Sequence, residues 1–283
     1  MTDEGFTRIR YEQPAEGVAR VVLARPEAAN AQDRRMLYEL NDAFDRASRD
    51  DSVKVIIVAA DGVHFSSGHD LRDTSTQADF EPVGPYDSWT APGQEGWMAA
   101  EQEFFMGFCW RWRNLPKPTI VSVQGKVIAG GLMLVWPFDI VIAAEDAQFS
   151  DPVVAFGVNG HEYFVHPYEV GARKAKQMLF TSEAITAQEA YRLGMVNEVV
   201  SRDELESYSL EMATKIARQP LMGLKLAKLS VNQALDNMGM WNTIQAAFGL
   251  HHLGHSHNAQ RFGMMVDPEG AGRIRSIAKG ARG

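Results

Sequence analysis

The sequence predicts an α/β fold with a helical C-terminal region, on three observations. Short β-branched runs at Val53–Ala60, Thr119–Val123 and Ile140–Ala144 are apolar at nearly every residue, as in strands covered on both faces. Helical periodicity separates these runs, and strands alternating with helices build sheets with several parallel strands. From Asp203 onward strand signals nearly vanish and helical ones take over.

Taken in order, Phe6, Ile9 and Tyr11 alternate with polar residues, and Pro14–Gly17 then turns the chain into the apolar Val18–Leu23. That is a strand–turn–strand entry. Asp33–Asp51 carries Met36, Leu37, Leu40, Phe44 and Ala47 at helical spacing. Between Asp73 and Gly96, a stretch that holds Pro82, Pro85 and Pro92, the periodicity fails. Loops of that length inside a compact domain are usually functional or mobile. Phe104, Phe105, Phe108, Trp110 and Trp112 then form an aromatic-rich helix with Arg111 and Arg113. It reads either as a core stripe with snorkelling arginines or as one wall of a pocket. Helices follow over Glu204–Arg218, over Pro220–Asn237 with Pro in its first turn, and on to about His252. After Arg261 the tail reads as irregular before a short basic helix. The implied organisation is an α/β core over 1–202 and a helical region over 203–283.

With 45% hydrophobic and 23% charged residues the chain has an ordinary globular composition. Its net charge of -8 argues against sequence-independent nucleic-acid binding, which needs a surplus of Lys and Arg. The single Cys109 excludes an internal disulfide framework and suits a reducing compartment. No leader pattern opens the sequence, and the most apolar window, Val127–Ala144, is broken by Pro137 and Asp139. The expectation is a cytoplasmic protein without a membrane span.

Two glycine-bearing turns follow apolar strands. Phe65-Ser66-Ser67-Gly68-His69-Asp70-Leu71 comes after Val53–Ala60, and Gln124-Gly125-Lys126-Val127-Ile128-Ala129-Gly130-Gly131 comes after Thr119–Val123 and opens a helix. Such turns leave backbone N–H groups unpaired, and two of them converging on one oxygen make an oxyanion hole. Either turn alone is equally well a tight connection.

Both turns in this order, with Arg25-Pro26-Glu27-Ala28-Ala29-Asn30-Ala31 upstream, resemble the crotonase (enoyl-CoA hydratase/isomerase) superfamily. So do Asp139-Ile140-Val141-Ile142-Ala143, Ala147-Gln148-Phe149, Ala187-Gln188-Glu189-Ala190 and Leu193-Gly194-Met195-Val196-Asn197. The resemblance runs from about Thr7 to Val200 and more loosely beyond. It implies a spiral of repeated β-β-α units, a helical C-terminal trimerisation region, and assembly as a homotrimer or a dimer of trimers. It implies an acyl-coenzyme A substrate, with coenzyme A as part of that substrate and no covalently bound cofactor. By the same resemblance, the backbone N–H groups of His69 and Gly130 form the oxyanion hole. Ala28, Ala29, Ser67, Asp70 and Leu71 fall where coenzyme A is held.

The pattern then breaks. Where hydratases of this family carry their two glutamates, this chain has Met133 and Val153, neither of which can transfer a proton. Asp151 lies beside the second of these places. His161 and Glu162 lie in the loop that supplies a carboxylate nucleophile in the 4-chlorobenzoyl-CoA dehalogenase branch. Glu162, then His161, then Asp151 are the candidate acid–base groups, with burial expected to raise the carboxylate's pKa. Solvated loop positions are the alternative reading, and the His69 imidazole is a less favoured proton carrier.

No metal site is expected. His161 and His166 are five residues apart, which would not share a helix face. His251, His252, His255 and His257 lack a carboxylate in their own segment and read as surface or interface residues. Two functions remain open: an acyl-CoA lyase or isomerase, and a non-catalytic acyl-CoA-binding protein on the same scaffold.

Overall fold

The computed structural model describes residues 5–86 and 88–280. Its strands are β1 (Ile9–Ala15), β2 (Val18–Leu23), β3 (Val55–Ala60), β4 (Thr119–Val123), β5 (Lys126–Ile128), β6 (Ile140–Ala144), β7 (Gln148–Ser150), β8 (Ile185–Thr186) and β9 (Glu198–Val200). Its helices are α1 (Arg34–Arg49), α2 (Gln94–Glu101), α3 (Phe108–Arg113), α4 (Gly130–Met133), α5 (His166–Val170), α6 (Ala172–Thr181), α7 (Ala187–Leu193), α8 (Leu205–Ala217), α9 (Leu221–Asn237), α10 (Met240–Phe262) and α11 (Gly270–Gly280).

The large sheet has the order β1-β2-β3-β4-β6-β9, parallel throughout except for the antiparallel β1–β2 hairpin. A second sheet runs β5-β7-β8. The chain gives β4 to the large sheet and β5 to the small one, then repeats the step with β6 and β7. This is the alternation of a β-β-α spiral.

Both faces of the large sheet are covered, and β3 shows how its sequence achieves that. Ile56 and Val58 join the main core with Val21, Val121 and Phe44, while Val55 and Ile57 face the other way with Val18, Ile120 and Ile142. A strand buried on both sides has no polar positions to show, hence the continuous apolar run. Leu205 and Ala213 of α8 close the second face, so the first helix after residue 202 packs directly on the sheet.

The helix expected over Asp33–Asp51 is α1. Asp33 caps it by accepting from the Met36 N–H at 2.8 Å, a contact typically worth about 1 kcal/mol. The predicted stripe Met36, Leu37, Leu40, Phe44 and Ala47 is buried. Two spans differ from expectation. α10 runs ten residues past His252, to Phe262, because His255 and Asn258 continue its buried face. The aromatic helix begins earlier, at Gln94, and a π-helical stretch over Gln102–Gly107 joins α2 to α3. Among the described residues no helix is long and apolar enough to cross a membrane.

Candidate active site

The two glycine turns are laced together. Phe65 N–H donates to Gln124 O (2.8 Å), Ser66 N–H to Lys126 O (3.2 Å) and Ile128 N–H to Ser66 O (3.1 Å). Close approach explains the glycines. A Cβ on Gly125 (φ +57°) would stand 2.2 Å from Val63 O, and one on Gly68 (φ +92°) 2.8 Å from Ile128 O. That same point on Gly68 lies 3.4 Å from the Gly130 nitrogen, so the turn carrying His69 abuts the start of α4. Neither the His69 N–H nor the Gly130 N–H donates to any described group. Gly130 owes this to its place in the first turn of a helix, where no carbonyl lies upstream to receive its proton.

The candidate coenzyme A residues sit along one rim. Ala28 ends a 3-10 turn, and Ala29 and Asn30 are both left-handed (φ 50°). Asn30 holds this bend through its side chain, which donates to Asp61 O and His64 O and accepts from Arg25 N–H. Ser67 N–H donates to Ala29 O (3.0 Å) and Asp70 N–H to Gln32 O (2.8 Å), which joins the upstream loop to the His69 turn. Leu71 is 86% exposed. The Asp70 carboxylate already has protein partners, Arg25 Nη2 and Arg72 N–H, each at 3.0 Å.

Next to the paired turns stands the His69 ring. A Cβ on Gly130 would lie 2.7–3.1 Å from its Cε1, Nδ1 and Nε2 atoms. Phe105 stacks on the ring at 3.8 Å between centroids, and Nε2 meets Glu162 Oε2 at 3.3 Å. Nδ1 has no partner. Glu162 is buried, which opposes its charge, but His69 and then His251 outweigh burial and hold its pKa below the usual carboxylate value. The expected upward shift is therefore reversed, because the loop brings imidazoles rather than an apolar wall to this carboxylate.

Asp151 is not free to move protons. It is fully buried, and Oδ2 accepts from His161 N–H (2.9 Å) and pairs with His166 Nε2 (2.8 Å). The spacing argument that separated His161 from His166 assumed a helix. This segment is a loop up to His166, and the two rings lie 4.7 Å apart. His161 packs on Trp136 with both ring nitrogens unpartnered. Burial pushes its pKa down to about 3, against about 6.5 in an unfolded chain. Between those values the unfolded chain binds a proton that the folded one does not. Stability should therefore fall as pH drops from about 6.5 toward 3, by roughly 1.4 kcal/mol per pH unit. Thermal melts at pH 7 and 5 measure this fall, and His161→Gln should flatten it; an unchanged slope in that variant would clear His161 as the source.

The C-terminal histidines correct the sequence reading most sharply. His251, His252 and His255 are buried, and only His257 is exposed. The missing carboxylate comes from α2. Glu101, itself buried, has Oε2 3.2 Å from His252 Nε2 and 3.7 Å from His251 Nε2, and Oε1 3.6 Å from His255 Nε2. His251 Nε2 also lies 3.6 Å from Glu162 Oε1. Three buried histidines, two buried glutamates and the half-buried His69 thus form one network ending at Gly130. The i,i+4 pair His251/His255 was the only sequence signal of it.

The aromatic helix satisfies both of its readings at once. Phe104, Phe108 and Trp112 are core, whereas Phe105 lies against His69. Arg113 is buried and paired with Asp236 (3.1 Å) rather than snorkelling. A separate cleft lined by Arg10, Arg20, Asp61, Arg202 and Glu206 is distant from this network. Its arginines are paired, Arg10 with Asp61, Arg20 with Glu206 and Arg202 with Asp146.

The family model for enoyl-CoA hydratase/isomerase matches residues 13–266. EchA13 of Mycobacterium tuberculosis is 43% identical over 260 residues, 89% of this chain and 82% of that protein. The crystal structure of a probable enoyl-CoA hydratase from Mycobacterium smegmatis superposes with a TM-score of 0.84 at 44% identity, over 92% of this chain and 100% of the other. A 4-chlorobenzoyl coenzyme A dehalogenase of an Arthrobacter species is 27% identical, covering 90% of this chain and 89% of its own length.

Proposed function

This chain belongs to the enoyl-CoA hydratase/isomerase family, and from that premise we propose that it is an acyl-CoA lyase or isomerase in which a His69–Glu162 pair replaces the family's glutamates. The observation that carries this reading is the position of the His69 imidazole, against Gly130 on one side and Glu162 on the other. The thioester oxygen sits between the two unpaired N–H groups of His69 and Gly130. A donor of this kind supplies about 3–4 kcal/mol to an oxyanion. Glu162 accepts from Nε2–H, which fixes the tautomer and leaves the Nδ1 lone pair free; Nδ1 is buried beside Gly130, so the thioester must shift the ring to bring its α-carbon within reach. Nδ1 takes the α-proton, the electron pair moves to the thioester oxygen, and the proton returns at carbon or leaves with a β-substituent as water. His69 is the catalytic residue, and Glu162 and Phe105 position it. Asp151 and His161 support the loop.

Met133, buried in the core, and Val153, in a 3-10 turn, carry no group able to transfer a proton. The non-catalytic reading keeps the same thioester site and differs in one outcome. A panel of enoyl-, hydroxyacyl- and aryl-CoA thioesters, followed by mass spectrometry, should show turnover; binding without product for every member would favour the binding protein.

The homotrimer or dimer of trimers forms through the apolar faces of α9 and α10. Met222, Leu226 and Leu229 recur at i, i+4 and i+7 and are 64%, 51% and 51% exposed, beside Leu250 at 58% and Leu253 at 64%. Exposed apolar residues in this number on two helices mark an interface. Leu226→Asp with Leu229→Asp should yield a monomer by light scattering, and a wild-type chain that already elutes as a monomer would remove the assembly.

A further inference from the structure

We infer that Glu101, His251 and His255 bind a first-row divalent transition-metal ion, at the end of the network opposite His69. One carboxylate oxygen and the two Nε2 atoms all lie within 4.8 Å of one another, and all three side chains are buried. Ligands about 2.0–2.1 Å from a tetrahedral ion stand about 3.3 Å apart. His251 Nε2 is 3.7 Å from Glu101 Oε2 and His255 Nε2 is 3.6 Å from Glu101 Oε1, each within a few tenths of that spacing, so either oxygen of the carboxylate can serve.

The orientation of the rings carries the argument further. His251 Nδ1 meets Gly160 O at 2.8 Å, and His255 Nδ1 meets Met265 O at 2.7 Å. A carbonyl only accepts, so each Nδ1 carries a proton, and in the neutral ring each Nε2 then presents a lone pair. Two lone pairs therefore point at a carboxylate, and neither Nε2 nor Glu101 Oε2 makes a hydrogen bond. Three buried acceptors facing one another repel unless a cation lies between them. A backbone carbonyl on the far ring nitrogen is also how metal-bound histidines are commonly oriented.

Two further features fit. His251 and His255 are one turn apart on α10, so a rigid helix sets their spacing. His252 reaches the same carboxylate at 3.2 Å, with its Nδ1 against the Gln94 side-chain amide. His252 therefore adds a third ring nitrogen beside the carboxylate without a hydrogen bond to it. Imidazole and carboxylate donors in a two-to-one set suit zinc, iron, cobalt or nickel rather than calcium or magnesium.

The test uses the full-length chain without an affinity tag. Elemental analysis of the purified protein should find about one equivalent of a first-row divalent ion per chain. After chelation, adding Co²⁺ alone should restore visible ligand-field absorption and raise Tm by roughly 5 °C. His255→Ala and Glu101→Gln should lose at least tenfold in Co²⁺ affinity. His257→Ala, on the exposed side of the same helix, should bind Co²⁺ as the wild type does. If those variants do not fold, the chelated wild type still decides. No ion on purification, together with no Co²⁺ band and no change in Tm, would overturn the site, and so would equal loss in His257→Ala. Each readout is independent of turnover, so a metal-loaded but inactive protein would sink the proposed reaction and leave the site standing.

Discussion

His69→Ala is expected to lower kcat on the responsive thioester by about 10²–10⁴-fold, the usual worth of a positioned general base, with KM nearly unchanged. The split follows from two roles at one residue. Alanine keeps the backbone N–H at the paired turns, so the thioester still finds both donors. It removes the imidazole that stands against Gly130. His69→Gln fills the space beside Phe105 without a comparable base and should be as slow, which separates lost chemistry from a lost ring stack. Glu162→Gln should cost about 10–100-fold in kcat with little change in KM, and Glu162→Asp should recover part of it. Steady-state kinetics on the four proteins decide the matter, and turnover that survives in both His69 variants would end the proposed mechanism.

Asp151→Ala is expected to destabilise the fold by about 3–5 kcal/mol, the range for breaking one partner out of a buried pair. Burial pushes the Asp151 pKa up, but His166 and His161 outweigh it and leave the carboxylate well below its usual range. Its stabilisation is present above the unfolded aspartate value of about 3.9 and is lost as pH falls toward the folded one. Without it, His161 N–H and His166 Nε2 lose their acceptor in a buried site. Urea denaturation at pH 7 measures the loss. Asp151→Asn should lose less, since the amide oxygen can still accept. A loss under 1 kcal/mol in the alanine variant would mean that the pair is not a structural anchor.

The reach of the sequence follows from which interactions are local. β3 was legible because residues buried on alternate faces leave one unbroken apolar run. The paired turns were legible because close backbone approach at Gly68 and Gly125 admits only glycine. Glu162 could be found by counting along the dehalogenase-branch loop, but the downward shift of its pKa could not. That shift depends on His69 and His251, 93 and 89 positions away in the chain, and periodicity carries no such information. Glu101 was hidden for a related reason. It sits in a helix whose aromatic residues dominate the reading, 150 residues before the histidines that surround it. A polar group buried by tertiary contact looks in sequence like any other glutamate.

The π-helical stretch over Gln102–Gly107 has a consequence for how relatives of this chain could be recognised. Such a segment holds an extra residue within a helix. Here it begins directly after Glu101, turned toward the α10 histidines, and contains Phe105, laid on His69. A homologue lacking that residue could align without strain on either side and still present one of these two side chains to the wrong neighbour. In an alignment, a one-residue gap inside an otherwise uninterrupted helix would therefore sort chains that share both centres from chains that share only the scaffold.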